Sequence, residues 1–290
     1  MKNRAYKVVD VFTSIPLKGN PVAVILDAEG LDTETMQGIA RWTNLSETTF
    51  VLPPTRPEAD YRLRIFTPQS ELPFAGHPTL GSAFAALEDG IVPAGKEALV
   101  QECGVGLVQL QVLTQRGERH ISFGLPPAQF VSLDTPELLE LEAILGHGVV
   151  REAQPAIVNV GAVWVVAQLP SVEALLALSP DHGRSAEFER RLGANGLSVF
   201  ALCQGGDQAL EVRSFAPSCG VPEDPVCGSG NGCIAVFLRE RGLLSSIGSS
   251  YLAGQGQCVG RGGRVSVRLG DTGFSIGGNC VTCINGTLSL

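Results

Sequence analysis

Long apolar runs and clusters of basic residues are both missing from this 290-residue sequence. No uninterrupted apolar segment reaches the ~20 residues of a membrane-spanning helix. The N-terminus enters a strand pattern without the apolar core of a secretory signal. No window has the basic clustering that neutralises a phosphate backbone, and the net charge is −8. We therefore expect a cytoplasmic protein with neither a nucleic-acid nor a membrane partner.

The motifs of nucleotide and metal sites are missing as well. No GxGxxG follows a predicted strand, and no GxxxxGK[ST] occurs. The four histidines and eight cysteines show no metal-ligand spacing. Cys280 and Cys283 form a CxxC, but it stands alone in a strand-like stretch. We expect reduced thiols and predict neither a metal nor a cofactor.

Apolar residues and turn-forming residues are abundant. Hydrophobic residues make up 44% of the chain and charged residues 17%, which is typical of a compact fold. The 35 glycines and 18 prolines fall between short apolar runs, and this spacing favours many short strands. A chain of this length exceeds the size at which a single core stops growing, so two domains are expected.

An internal repeat divides the chain. Residues 71–83 align with residues 223–235 at a constant offset, and so does the glycine that follows each segment. The coincident pairs are Glu71 and Glu223, Pro73 and Pro225, Gly76 and Gly228, Ala83 and Ala235, and Gly90 and Gly242. Each copy predicts a loop, then a helix (78–87 or 231–238), then a glycine C-cap.

Both predicted helices are apolar nearly all round, so each belongs inside a curled sheet. We predict an α+β fold of two pseudo-symmetric half-barrels, each a mostly antiparallel sheet around a central helix. The predicted strands cover residues 6–12, 21–26, 47–52, 61–66, 157–166, 198–203 and 211–215. The predicted peripheral helices cover residues 33–42, 136–145 and 172–178.

The two glycine-rich helix starts are candidate anion sites. If the halves pack face to face, the N-termini after Gly76 and Gly228 meet and direct unpaired N–H groups at one carboxylate. The alternative is that these glycines only permit tight turns. The polar residues beside the turns are candidates for acid–base chemistry, and they are His77, Glu223, Asp224, Cys227 and Ser229.

Glu47 is a further candidate, because an acid opens a strand that is otherwise apolar or hydroxylic. The corresponding stretch of the second half, near residues 197–200, has no acid. A symmetric scaffold with one asymmetric acid suits a proton shuttle, since a base must lie on one face of its substrate. The alternative is an exposed glutamate at a strand start.

At these residues the sequence resembles the phenazine-biosynthesis-protein F-like family, which is related in fold to diaminopimelate epimerase and proline racemase. The matching motifs span the chain: DVFT at 10–13, GNPVAV at 19–24, NLSETTFV at 44–51, FTP at 66–68, ELPFAGHPTLG at 71–81, EDPVCGSGN at 223–231, QG at 255–256, GR at 260–261 and GG at 277–278. The resemblance implies two half-domains, 1–118 plus 280–290 and 119–279, with the active site in the cleft between them. It also implies a homodimer.

The resemblance implies a cofactor-independent isomerase or epimerase that moves a proton on a small carboxylated substrate. Glu47 matches the family's proton-transferring glutamate, and His77 and Asp224 match its active-site histidine and aspartate. The expected substrate-binding residues are Gly76, Gly228, Ser229, Gly230 and Asn231.

Cys227 departs from the family pattern, because this position more often carries threonine. Diaminopimelate epimerase has a catalytic cysteine in a similar motif, and a helix N-terminus favours the thiolate. Cys227 is therefore a candidate catalytic residue, and an epimerase or dehydratase that uses it is one alternative. Another is a non-catalytic carboxylate-binding protein. Phenazine synthesis itself does not follow from the sequence.

Overall fold

The computed structural model describes residues 2–115, 117–271 and 273–290. Their strands are β1 (Asn3–Val11), β2 (Asn20–Ile25), β3 (Thr48–Leu52), β4 (Tyr61–Phe66), β5 (Glu71–Leu72), β6 (Ala98–Cys103), β7 (Gly106–Gln115), β8 (Glu118–Gly124), β9 (Gln129–Ser132), β10 (Ala156–Asn159), β11 (Val163–Gln168), β12 (Gly196–Leu202), β13 (Leu210–Ala216), β14 (Val221–Asp224), β15 (Ser250–Gln255), β16 (Gly263–Gly270) and β17 (Gly273–Ser289). Their α-helices are α1 (Thr33–Thr43), α2 (Gly76–Glu88), α3 (Thr135–Leu145), α4 (Val172–Leu176), α5 (His182–Leu192), α6 (Gly228–Glu240) and α7 (Leu244–Ile247). Within these residues, no helix has both the length and the apolar character that crossing a bilayer requires.

The chain divides into two compact units. The first contains Met1–Phe123 and Gly277–Leu290, and the second contains Gly124–Ile276. The boundaries expected from the sequence, 1–118 plus 280–290 and 119–279, stay a prediction about domains that fold independently.

In the first unit, the C-terminal strand β17 pairs with the N-terminal strand β1 in antiparallel fashion, from Asn3 opposite Ser289 to Val11 opposite Cys280. Strand β1 also pairs with β2 in antiparallel fashion, β2 pairs with β3 in parallel, and β3 pairs with β4 in antiparallel fashion. Strand β4 pairs with β6 in parallel, and the pairs β6–β7 and β7–β8 are antiparallel. Strand β8 pairs with β17, so the hydrogen-bonded order returns to its starting strand.

The second unit repeats this succession. Strand β9 pairs with β10 and β10 with β11, both antiparallel, and β11 then pairs with β12 in parallel. Antiparallel β12–β13, parallel β13–β15 and antiparallel β15–β16 follow. The chain is thus an α+β protein in which both copies of the repeat have one strand order. That each sheet curls into a half-barrel stays a prediction.

Each repeat copy contains one helix that is buried along almost its whole length. Helix α2 contacts β1 to β4, and α6 contacts β10, β11, β12 and β16. The glycines that follow them, Gly90 and Gly242, have φ of +76° and +70°. This left-handed conformation suits glycine after a helix end, so both predicted glycine stops are confirmed.

The other helices cover the opposite faces of the sheets. Successive residues of a strand point to opposite faces, and β3 shows this directly. The Thr49 hydroxyl accepts a hydrogen bond from Ser82 of α2 at 2.8 Å, whereas Phe50 packs with Met36 and Ile39 of α1. In the second unit, α3, α4 and α5 cover a larger core around Phe188 and Phe215.

Two predicted elements differ from the structure, and one helix was not predicted. The single strand expected over 157–166 is a hairpin of β10 and β11, whose turn contains Gly161 at a φ of +97°. The helix expected over 172–178 ends at Leu176. Helix α5 was not expected, because its sequence is mostly polar; Phe188 is its one large apolar side chain that is fully buried.

Candidate active site

The start of α2 is shaped by close packing of its backbone. Ala75 is the N-cap residue and its side chain makes no capping hydrogen bond. A Cβ atom on Gly76 would lie 2.9 Å from the Phe123 ring, so only glycine fits without a shift. The next residue, His77, is 7% exposed. The first turn of this helix therefore carries backbone N–H groups that no capping side chain accepts.

His77 and Glu47 lie together in the first unit. Glu47 directly precedes β3, and its Oε2 is 3.4 Å from Nε2 of His77. Burial lowers the pKa of His77 to about 4, although its ring also donates a hydrogen bond to the Pro21 carbonyl. The imidazole is therefore neutral at pH 7. The structure thus brings together two of the predicted residues, an acid and a neutral ring.

The start of α6 is built around Cys227. This residue is the N-cap, and its Sγ accepts a hydrogen bond from the Gly230 N–H at 3.3 Å. Behind the turn, the hydroxyls of Ser198 and Ser214 lie 2.9 Å apart. A Cβ atom on Gly230 would lie 2.6 Å from the Ser198 oxygen and 3.2 Å from the Cys227 sulfur. Glycine is required at 230 for space, because any side chain would collide with this cluster.

Asp224 is the last residue of β14 and is partly buried. Burial raises the pKa of its carboxyl to about 6, against hydrogen bonds from the Val226 N–H and the Cys227 thiol that favour the ionised form. The carboxyl therefore changes protonation close to neutral pH, which is the range in which a carboxyl group is useful as an acid or a base.

The surroundings of Cys227 do not favour the thiolate considered for it. Burial, followed by the negative charge of Asp224, raises the pKa of the thiol well above its usual value. Hydrogen bonds from Ser229 and Gly230 oppose this shift but do not overcome it. Cys227 is a neutral thiol that donates to Asp224 and accepts from Gly230.

Ser229 and Asn231 have defined partners in the same turn. The indole Nε1 of Trp164 donates to the Ser229 hydroxyl at 3.0 Å. The Asn231 side chain donates to the Cys227 carbonyl at 2.9 Å and to Gln255 Oε1 at 3.0 Å. Gln255 and Trp164 were not predicted. The QG motif at 255–256, which follows the short apolar run 251–253, was the available signal for Gln255.

Glu223 has a structural role instead of the acid–base role considered for it. Both of its carboxylate oxygens accept hydrogen bonds from Arg213, at 3.0 and 2.8 Å. The first repeat copy has the same pair, in which Arg64 holds Glu71 with two bonds of 2.7 Å. Neighbours on a strand point to opposite faces, so Glu223 faces its arginine and Asp224 faces the turn.

The structure therefore forms two groups, one in each unit. The first contains Glu47, His77 and the α2 start, and the second contains Asp224, Cys227, Ser229 and the α6 start. Their action on a single substrate stays a prediction.

The two units of this α+β chain have the same succession of strand pairings, and each contains one buried helix. The fold is therefore a duplicated one. A family model described as phenazine biosynthesis-like protein matches residues 9–286. The chain belongs to this family, which confirms the resemblance seen in the motifs.

Two curated relatives align over nearly the whole chain. Antisense-enhancing sequence 1 of Schizosaccharomyces pombe is 39% identical over 295 residues, with 99% of each chain covered. Trans-2,3-dihydro-3-hydroxyanthranilate isomerase of Pseudomonas fluorescens is 35% identical over 292 residues, covering 98% of this chain and 99% of the relative. The chain is an enzyme of the isomerase class, as the sequence predicted.

A solved structure shares the fold. The phenazine biosynthesis protein of the PhzF family from Bacillus anthracis aligns over 100% of both chains with a TM-score of 0.88 and 24% identity. The similarity concerns the fold, and it extends over both units.

Proposed function

We propose that this chain is a cofactor-independent isomerase that transfers a proton on a small carboxylated substrate, with Glu47 as the acid and base. The contact between Glu47 and His77 carries this proposal. Their facing atoms are 3.4 Å apart, and the ring is neutral because it is buried. At this contact the neutral ring adds no positive charge beside the carboxyl group. A glutamate carboxyl in such a position can accept a proton from carbon in its ionised form and return it once protonated.

The first turn of α2 supplies the anion site in this proposal. Its N–H groups have no capping side chain, and a helix N-terminus attracts a carboxylate by typically 0.3–1 kcal/mol at an exposed site and more when it is partly buried. The same N–H groups would stabilise negative charge that develops when a proton leaves the carbon next to the carboxylate. General acid–base transfer adds about 10²–10⁴-fold in rate.

Asp224 is the second proton-transferring group in this proposal. With its pKa raised to about 6, both forms of its carboxyl are populated near neutral pH. Cys227 bonds to this carboxyl and caps the helix start, and Ser229 contacts Cys227. We further propose that the two groups act together in a cleft between the half-domains, and that the protein is a cytoplasmic homodimer.

Deuterium exchange tests the role of Glu47. The substrate panel begins with trans-2,3-dihydro-3-hydroxyanthranilate, which is named in the Pseudomonas fluorescens relative, and continues with small amino and hydroxy acids. In D₂O, the native protein should place deuterium on the carbon of at least one compound. Glu47→Gln should lose this exchange by at least about 10²-fold.

Glu97→Gln is the matched control, because Glu97 directly precedes β6 as Glu47 precedes β3 but is exposed. It should exchange at the native rate. Undiminished exchange by a folded Glu47→Gln protein would remove Glu47 from the mechanism.

A Cys227-based epimerase or dehydratase is the second candidate, and the hydrogen bond between Cys227 and Asp224 favours it. In that case Cys227→Ala should abolish turnover while Glu47→Gln retains it. The raised pKa of the thiol supports the Glu47 mechanism instead, because little thiolate is present at pH 7. Membership of an isomerase family favours either enzyme over a non-catalytic carboxylate-binding protein.

A further inference from the structure

Gln255 joins three parts of the α6 start through one buried side chain. Its Oε1 accepts hydrogen bonds from the Cys227 N–H at 3.0 Å and from the Asn231 side chain at 3.0 Å. Its Nε2 donates to the Asp224 carbonyl at 3.0 Å. The residue is 1% exposed. A single amide thus connects the end of β14, the N-cap and the first turn of the helix.

The backbone beside Gln255 also fits closely under this turn. Gly256 has a φ of +106°, and a Cβ atom there would lie 2.6 Å from the Pro225 carbonyl oxygen and 2.7 Å from Arg261 Cβ. Pro225 lies between Asp224 and Cys227 in the chain. The loop therefore rests directly on the end of β15, and the Gln255 amide cannot move away without moving the loop.

At neutral pH an amide satisfies all three of these groups. The two donors need an acceptor oxygen, and the Asp224 carbonyl needs a donor. An ionised carboxylate lacks that donor, and a leucine lacks both functions. A buried N–H or C=O left without its partner is destabilising, so the loop would shift to regain contacts.

We propose that Gln255 is a positioning residue of the isomerase, which fixes the distance between the Asp224 carboxyl and the first turn of α6. This rests on the proposed function, in which Asp224 takes part in proton transfer. The other buried glutamine of this kind, Gln101, donates to the Thr79 hydroxyl and accepts from the Tyr61 hydroxyl. Gln101 bonds two side chains, whereas Gln255 bonds the backbone of two candidate site residues, the N–H of Cys227 and the carbonyl of Asp224.

The first test follows the turn itself and requires no substrate. In Gln255→Glu, the new carboxyl can donate to the Asp224 carbonyl only while it is protonated. The Cys227 amide resonance should therefore move toward its native position at low pH and away from it as the carboxyl ionises. The titration is recorded in a protein that also carries Asp224→Asn, so that ionisation of Asp224 does not shift the Cys227 amide resonance. A Cys227 amide that does not respond to the new carboxyl would overturn the proposal.

The second test measures turnover per folded molecule. Gln255→Leu should lower kcat about 10–100-fold, because a displacement of 1 Å in a reacting group can cost 10²-fold, while KM changes less than about 3-fold. Gln154→Leu is the control, since the Gln154 side chain also donates to a backbone carbonyl, that of Leu133, but this residue lies beside Arg241 at the C-terminal end of α6 instead of at its start. Equal kcat in the two variants would contradict the proposal.

The two tests separate the possible failures. If native protein shows no exchange with any compound, the proposed function fails while the amide titration still decides whether Gln255 fixes the turn. If Gln255→Leu does not fold, the Gln255→Glu titration and its kcat at low and high pH give the answer. Activity that recovers at low pH only in Gln255→Glu would support positioning, because a purely structural loss would not reverse with that carboxyl.

Discussion

Arg213 and Glu223 form a two-bond ion pair in which the side chains are only 8% and 13% exposed. Arg213 also donates to the Leu175 and Leu178 carbonyls, at 3.1 and 2.8 Å. The arginine thus has a partner for most of its donors and secures the strand that carries Asp224. The first repeat copy has the same contact between Arg64 and Glu71, but Glu71 is 39% exposed.

This difference in burial predicts unequal losses of stability. Glu223→Gln leaves a buried guanidinium without its counter-charge and should lower the free energy of unfolding by about 3–5 kcal/mol. Glu71→Gln breaks a solvated pair and should cost less than about 1 kcal/mol. Urea denaturation of both variants beside native protein measures the difference. Equal losses would show that burial does not decide the strength of these pairs.

The α6 start provides a second pair of matched variants. Gly230→Ala places a methyl group against the Ser198 and Ser214 hydroxyls and the Cys227 sulfur, so it should destabilise the protein by about 1–3 kcal/mol. Gly232→Ala meets the flexible Leu125 side chain at 3.0 Å. Its gain in helix propensity, about 1 kcal/mol, should offset that contact. Thermal unfolding compares the two, and a larger loss in Gly232→Ala would contradict the geometry.

Much of the fold could be predicted from the sequence, because its signals are local. The apolar helices α2 and α6 and their glycine stops follow from periodicity and repetition, and β1 to β4, β12 and β13 follow from short apolar runs. Strands β5 to β9 and β14 to β16 were not predicted. The hairpin of β10 and β11 was missed because its turn, residues 160–162, has only one glycine between apolar residues. Helix α5 was missed because a polar helix with one buried aromatic residue gives little apolar signal.

The candidate site could be predicted only in part. Residue types and motifs identified Glu47, His77, Asp224 and Cys227, but the pKa of a group depends on burial, which the sequence does not give. The thiolate considered for Cys227 is disfavoured for this reason. Gln255 was missed because its role depends on three contacts that are distant in the chain.

His77 and Asp224 should change stability with pH in opposite directions. The pKa of His77 is lowered to about 4, whereas an unfolded histidine titrates near 6.5. Between these two pKa values, the unfolded chain binds a proton that the folded protein does not. The stabilising contribution of His77 is therefore complete above pH 6.5 and decreases as the pH falls toward 4. His77→Gln should remove up to about 3 kcal/mol of this dependence.

The pKa of Asp224 is raised to about 6, whereas an unfolded aspartate titrates near 3.9. Here the folded protein holds the proton, so this group stabilises the protein below pH 4 and loses that contribution as the pH rises through 6. Asp224→Asn should therefore make stability rise more steeply with pH, and His77→Gln less steeply. Urea titrations between pH 4 and 7.5 measure both slopes, and slopes that change in the same direction would contradict one assignment.

The Cys227 thiol is buried and caps the N-terminus of α6. Iodoacetamide at pH 8 should label the exposed Cys219 well before Cys227, because only the thiolate reacts and burial raises the pKa of Cys227. Mass spectrometry of peptides from the native protein gives the order. Cys227→Ser should keep the hydrogen bond from the Gly230 N–H, whereas Cys227→Ala should lose about 0.5–2 kcal/mol of stability as a cap is removed. Rapid labelling of Cys227 would contradict the raised pKa of the thiol and would favour the Cys227-based epimerase.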